Sequence, residues 1–503
     1  MAVLNSICSI LSRRFRHFAV EGGNSISVMD ETNCSIRELE LSSDEMRKLI
    51  QQATERIVEH IESLPSQPVS DVTGGEDLAR SVVEPMPEQG VAFTGLLELL
   101  FGRLVPKTFN TASPGYLAYI PGGGLFHAAI ADLIADSVNR YVGVWMAAPA
   151  LAQLEANVLR WFADIIGYPD SARGLLTTGG SLANFTALVT ARRERLPEDF
   201  LSAVLYTSDQ THYSVLKAAL LAGFPGRNVH EVPVDRHFRI RIDALRERIA
   251  SDRAARQRPF LIVGSAGTTN TGAVDDLEAL ADVAREEDLW LHVDAAYGGF
   301  FMLTERGRSV MRGIERADSI ALDPHKALFL PYGTGSLLVR DGEALRRAHA
   351  IHADYMPPMQ DNPDLVDFCL YSPELSRDFR GLRVWLPFKM HGAQAFRCSL
   401  DEKLDLAAWV TEELRKIPGM EIVAEPQLSL VAFRLVRNGL NPGELNDLNR
   451  RLLDRINVRQ RVFLTATTLS GTFVLRICIL SFRTHLERMQ AAMEDIQAAL
   501  KEL

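Results

Sequence analysis

The chain has 503 residues, 47% hydrophobic and 23% charged, with a formal net charge of −10. That length holds two or three domains of an ordinary globular protein, and the negative charge argues against a nucleic-acid partner. No apolar run approaches the roughly 20 residues of a membrane span. The five cysteines are scattered and form no C-x-x-C, so neither a disulfide framework nor a metal site is expected and a reducing cytoplasm is the expected location.

Residues 1–40 read as a flexible tail. Arg13, Arg14 and Arg16 follow a short apolar stretch, the reverse of the order in a secretory signal. Met46, Leu49, Ile50, Ala53, Ile57 and Ile61 recur at helical spacing and predict a helix from Ser43 that Pro65 ends. A linker follows, then a second helix over 97–104. Together 41–125 form an N-terminal helical segment. Residues 113–124 (S-P-G-Y-L-A-Y-I-P-G-G-G) and 139–145 (N-R-Y-V-G-V-W) combine glycine with aromatics, and a long helix is predicted from 148.

At 174–181 (G-L-L-T-T-G-G-S) a strand enters a glycine turn and a helix start. Ser181 fits an N-cap, and Leu182, Phe185 and Val189 give the helix an apolar face. Free N–H groups at such a start suit an anion, although alone the pattern is more often a plain strand–helix turn. Strands at 205–208 and 260–265 lead to a turn holding His212 and to a hydroxyl-rich turn holding Thr268.

Two strand ends carry chemistry. The apolar run 289–293 closes on Asp294, and a carboxylate there needs a cation or donors. The run 320–322 stops at Asp323-Pro324, because proline has no N–H to continue a ladder. That leaves His325 and Lys326 at the strand's end. Burial disfavours a lysine's ammonium form and lowers its pKa, which makes the amine nucleophilic. About thirty residues separate Asp294 from Lys326, room for one helical crossover between parallel strands. A pyridoxal phosphate (PLP) site needs this pair: an amine to hold the cofactor's aldehyde and a carboxylate to keep its pyridine nitrogen protonated. The strand–helix alternation predicts an α/β domain with a mainly parallel sheet, whose ligands bind beyond the strands' carboxyl ends. Past a polar, proline-rich loop around 352–363, the pattern from 386 is helix, two strands, helix, two strands, helix.

With H-V-D-A-A-Y at 292–297 and P-H-K at 324–326, the chain resembles the group II PLP-dependent amino-acid decarboxylases, a family that includes the aromatic-L-amino-acid, histidine and glutamate decarboxylases. The likeness runs from about residue 113 to the C-terminus. It implies a fold-type-I PLP-dependent transferase architecture: a large α/β domain over 126–385, its central sheet flanked by helices, and a small α+β domain over 386–503. It implies that Lys326 holds the cofactor and Asp294 its ring nitrogen, with His212, from S-x-x-x-H at 208–212, stacked on the ring. Gly180 and Ser181 would bind the phosphate, with Thr268, Ala296 and His325 close by. Tyr355, at the matching distance past the lysine, would protonate the decarboxylated substrate. His212, His325 and Tyr355 thus join Lys326 and Asp294 as the expected catalytic set.

Tyr119, Pro121 and Gly143 would line the substrate pocket. Gly122 to Gly124 and Gly143 stand where aromatic-specific members carry larger groups, which predicts a roomier pocket. Arg140, if turned inward, would favour an acidic side chain. The implied activity is decarboxylation of an L-amino acid, aromatic substrates favoured. The alternatives are an acidic amino-acid decarboxylase, and an aldehyde synthase or aminotransferase of the same fold. A homodimer with its active site at the subunit interface is implied, with no nucleic acid or membrane as partner. Asp323 departs from the asparagine of animal members. An ionised aspartate cannot donate to a phosphate, so it is expected to turn away or leave another donor to serve.

Overall fold

The computed structural model describes residues 39–503 apart from 352, 361 and 363. Two units divide the chain, Met1–Ile57 and Val58–Leu503. Except for its last two residues, the tail expected over 1–40 lies outside the described residues. The helix Ser43–Ser63 starts at a reciprocal cap. Glu45 N–H donates to Ser42 Oγ at 3.3 Å, and Ser42 N–H donates to the Glu45 carboxylate at 2.7 Å. The second predicted helix is three pieces: an α-helix Phe93–Glu98, a π-helix Leu99–Leu104 and a 3-10 turn Val105–Lys107.

In the second unit, Arg173–Thr177 (β1), Ala203–Ser208 (β2), Val229–Val232 (β3), Arg258–Ser265 (β4), Trp290–Asp294 (β5), Ser319–Leu322 (β6) and Gly335–Val339 (β7) form one sheet. Its order is β1-β7-β6-β5-β4-β2-β3. β7 runs antiparallel to β1 and β6, and the other pairings are parallel. β2, β5, β6 and β7 are buried along their whole length. Helices on the faces exclude water from both sides, which is why these strands read as unbroken apolar runs and not as alternations.

Register brings the working ends level. Ser265 pairs with Asp294, and Asp294 with Ala321, so β4, β5 and β6 finish side by side. The helix Gly180–Arg195 crosses the sheet near these ends and packs on β5 to β7. Its buried face is Ala183, Asn184, Ala187 and Ala191; the expected Leu182, Phe185 and Val189 are only half-buried. Small side chains let the helix lie close to the sheet, and the larger apolar ones fill its flanks.

The helix Arg380–Arg415, kinked at Gly392, leads into Met420–Ala424 (β8), Leu430–Leu435 (β9), the helix Pro442–Asn457, Thr465–Leu469 (β10), Thr472–Cys478 (β11) and the helix Leu486–Lys501. The four strands make an antiparallel sheet in the order β10-β11-β9-β8, with a hydrophobic core that includes Val410, Phe433, Leu452 and Ile496. The order of elements is the predicted one; the helix starts at Arg380, ahead of residue 386. No helix among the described residues is long and apolar enough to cross a membrane.

Candidate active site

A cavity of about 300 Å3 opens at the carboxyl ends of β1, β2, β4, β5 and β6. Gly180, Ser181, His212, Thr268, Asp294, Ala296, His325 and Lys326 all line it. Each follows from a strand end. β1 ends before the glycine turn into Gly180–Arg195, β2 before His212, β4 before Thr268, β5 at Asp294. β6 ends before a single helical turn, Pro324–Ala327, with proline in its first turn where a missing N–H costs nothing. Lys326 is therefore held on a rigid turn.

Asp294, 8% exposed, accepts from Asn184 Nδ2 at 3.0 Å and from Ala296 N–H at 3.1 Å. These donors fix the carboxylate plane. Lys326 Nζ lies 3.0 Å from Asp323 Oδ2. The sequence predicts a depressed lysine pKa, and the structure corrects this. Burial does act to lower it, but the Asp323 and Asp294 carboxylates overcome burial and hold the pKa above its ordinary value. For His212, burial outweighs the neighbouring carboxylates and pushes the pKa down, leaving a neutral ring. His325 Nδ1 donates to the Thr334 carbonyl at 2.7 Å; a carbonyl only accepts, so the ring's proton is on Nδ1. Thr268 Oγ1 is paired with Thr271 Oγ1 at 2.9 Å and accepts from Ala273 N–H.

Ser181 is not the N-cap. Gly179 holds that position without a side-chain bond, so the Ser181 hydroxyl and the first N–H groups of the helix face the cavity together. Asp323 is 2% exposed and its Oδ1 has no hydrogen-bond partner. Its Oδ2 faces Lys326, and both carboxylate oxygens stay close to the helix start: a Cβ on Gly180 would lie 3.0 Å from Asp323 Oδ2 and 3.3 Å from Oδ1. The residues present fit PLP. An amine and a carboxylate stand at adjacent strand ends, the flat ring of His212 lines the same cavity, and a helix N-terminus with a hydroxyl suits the phosphate.

The other expected residues are not brought to this cavity. Tyr355 is 78% exposed and Tyr119 53% exposed; Pro121 and Gly143 are buried outside the lining. The space beside Gly122, Gly123 and Gly143 is filled by other parts of the chain, and that beside Gly124 is open. A Cβ on Gly122 would meet the His325 carbonyl oxygen at 2.0 Å, and one on Gly123 would meet Ser481 Oγ at 2.5 Å. The Tyr141 ring occupies the space beside Gly143, its hydroxyl 2.7 Å from where a Cβ would be. Arg140 is exposed.

Sequence reasoning missed Asn184 and Ser214, which line the cavity, and the buried His292. Asn184 sits at helical spacing among alanines on a buried face, and that polar interruption was the available signal. Arg476, buried on β11, donates to the carbonyls of Asn270, at 3.0 Å, and Thr269, and to Thr465 Oγ1 at 3.2 Å, which ties the small sheet to the cavity rim.

A mainly parallel sheet with a lysine and a carboxylate at neighbouring strand ends defines a fold-type-I PLP enzyme. The family model described as "Pyridoxal-dependent decarboxylase conserved domain" matches residues 80–436, and the chain belongs to this family: it is a PLP-dependent carboxy-lyase. It is 38% identical over 467 residues to an aromatic-L-amino-acid decarboxylase of Bacillus atrophaeus, covering 92% of this chain and 97% of that one. Among solved structures it resembles the Oryza sativa TDC with PLP and tryptamine (TM-score 0.88, 28% identity, 92% of this chain and 99% of that one). It also resembles the Rhodiola rosea 4-hydroxyphenylacetaldehyde synthase (TM-score 0.86, 26% identity, 92% and 99%).

Proposed function

We propose that this enzyme removes the carboxyl group of an aromatic L-amino acid to give the amine and CO2, with Lys326 and Asp294 as its central pair. The carrying observation is the level register of β5 and β6, which sets these side chains at one cavity. PLP, when bound, supplies an electron sink for the pair left on Cα as CO2 departs. The chain supplies the rest. Lys326 Nζ would hold the cofactor. Asp294, oriented by Asn184 and Ala296, would keep a proton on the ring nitrogen. His212 would lie against the ring. The N–H groups of the helix Gly180–Arg195 and the Ser181 hydroxyl hold the phosphate, with Thr268, Ala296 and His325 against the cofactor. Tyr355 returns a proton to Cα. The working form is a cytoplasmic homodimer whose second copy completes the substrate pocket, consistent with the position of Tyr119, Pro121 and Gly143 outside the cavity of one chain.

The test is CO2 release from tryptophan, tyrosine, Dopa, glutamate and cysteine sulfinate, with borohydride reduction and peptide mapping of the pyridoxyl group. Release from the aromatic substrates and a label on Lys326 are expected; a label elsewhere, or release from glutamate alone, overturns the reading. The likeness to an aldehyde synthase favours a second reading, in which the product is an aldehyde. Aldehyde and peroxide in place of amine would establish it, and Tyr355→Phe should raise the aldehyde share if Tyr355 is the proton donor.

A further inference from the structure

Behind the cavity runs a buried chain of hydrogen bonds whose direction can be read atom by atom. Trp290 Nε1 donates to Ser319 Oγ at 2.9 Å. Ser319 Oγ meets His292 Nδ1 at 2.8 Å, and His292 Nε2 meets Asn184 Oδ1 at 2.9 Å. Asn184 Nδ2 donates both its hydrogens, one to Asp294 Oδ2 at 3.0 Å and one to Ser214 Oγ at 2.9 Å. Ser214 Oγ lies 2.7 Å from His212 Nδ1, and Ser214 N–H donates to that nitrogen at 3.3 Å. Asn184, Ser214, His292 and Ser319 are each at most 2% exposed.

The two ends remove the ambiguity. An ionised carboxylate only accepts and an indole N–H only donates. The amide must therefore turn its NH2 to Asp294, which leaves Oδ1 for His292, and His292 Nε2 must carry the proton. Burial depresses His292 to about 4, so that ring is neutral, its Nδ1 accepts, and Ser319 donates to it. At the other branch the Ser214 N–H, which can only donate, points at His212 Nδ1 and makes that nitrogen an acceptor, so the Ser214 hydroxyl, which itself accepts from Asn184, turns its hydrogen to the same nitrogen. His212 is thus the Nε2–H form, with a donor on the one ring nitrogen left for the cavity.

We propose that Asn184 is a positioning residue for the reaction: one carboxamide locks the Asp294 carboxylate and the His212 tautomer into a single rigid unit. This rests on the reading of the site given above. The ring-nitrogen carboxylate and the covering histidine sit on different strands, β5 and the loop after β2, and Asn184 on the helix Gly180–Arg195 is the group that bonds toward both. Directed chains of this kind polarise one another in a dry interior, so reversing one bond is felt at the far end. The charged groups facing His212 are Asp294, Lys326 and Asp323, with the Tyr213 ring 4.4 Å away.

Asn184→Asp tests the direction. The new oxygen has the amide's shape but carries at most one hydrogen, which the neighbouring Asp294 carboxylate will claim because two ionised carboxylates cannot share so short a contact. Ser214 must then donate to residue 184 and accept from His212, so Nδ1 takes the proton. The readout is the ring-nitrogen spectrum of protein labelled with 15N-histidine, recorded with and without PLP, His212 being assigned by the signals lost in His212→Gln. Wild type should show Nδ1 bare and Nε2 protonated; Asn184→Asp should show Nδ1 protonated. Asn184→Ala serves if the aspartate variant does not fold. It removes the donor that makes the Ser214 hydroxyl an acceptor, so that hydroxyl can then accept from Nδ1 as well as donate to it, and the His212 signals should show a mixture of the two tautomers. A His212 spectrum identical to wild type in the folded variant overturns the proposal. Failure of the site reading is separate: it would show as absence of pyridoxyl label on Lys326 in wild type, whatever the tautomer.

Discussion

Gly122→Ala should damage the enzyme through the turn that carries its lysine. A Cβ at this position would stand 2.0 Å from the His325 carbonyl oxygen, 3.0 Å from its carbon and 3.1 Å from the Lys326 carbonyl oxygen. All three atoms are backbone, so none can rotate aside. The turn is also pinned elsewhere: Lys326 N–H donates to the Asp323 carbonyl at 2.9 Å, Leu330 N–H to the Pro324 carbonyl at 3.3 Å, and the His325 ring to Thr334. Overpacking of this kind costs about 1–3 kcal/mol of stability. Relieving it by moving the lysine's backbone roughly 1 Å would cost about 100-fold in rate. Gly124→Ala is the matched control. Its Cβ meets nothing within 4 Å, but its φ of +69° is strained for alanine, which costs about 1–2 kcal/mol without touching the lysine turn. Urea unfolding, kcat and the yield of borohydride-fixed pyridoxyl on Lys326 separate the two. Both variants should lose stability, and only Gly122→Ala should lose rate and label. Wild-type kcat in Gly122→Ala, or equal loss in both variants, would refute the packing account.

Asp294→Asn should keep most PLP binding and lose turnover by roughly 10- to 1000-fold, the worth of a neighbouring charge to a ring nitrogen; steady-state kinetics at saturating cofactor check it. Asp323→Asn removes one of the carboxylates that raise the Lys326 pKa. More amine is then neutral at a given pH, so the curve of PLP attachment rate against pH should move to lower pH, as followed by absorbance after mixing. Arg140 is exposed, and Arg140→Ala should leave the preference between tryptophan and glutamate unchanged in a competition assay.

The sheet and the positions around its carboxyl ends were legible because parallel strands buried on both faces announce themselves as apolar runs. The residue that closes each run is polar for a reason: Asp294 and Lys326 stand out because nothing in packing calls for a charge there. Packing side by side was not legible at the same level. The pocket expected at Tyr119, Pro121 and Gly143 came from local likeness, and a motif does not say which way a neighbouring ring will turn: Tyr141, two residues from Gly143, fills the space beside it. The lysine's pKa was misjudged because burial is visible in sequence, while the 3.0 Å approach of Asp323 depends on a one-turn helix. Asn184 went unnoticed because the long side chains around it suggested the wrong buried face.

The grip of Arg476 on the Thr269 and Asn270 carbonyls makes the cavity rim and the C-terminal sheet one cooperative element. A buried guanidinium with carbonyls as partners cannot let go without losing its solvation on both sides. The segment holding Thr268 should therefore open only when β11 leaves its place, and its amides should exchange with solvent at the rate of that larger event. Destabilising changes far out in the small domain would then first appear as cofactor leakage, long before activity at saturating PLP declines.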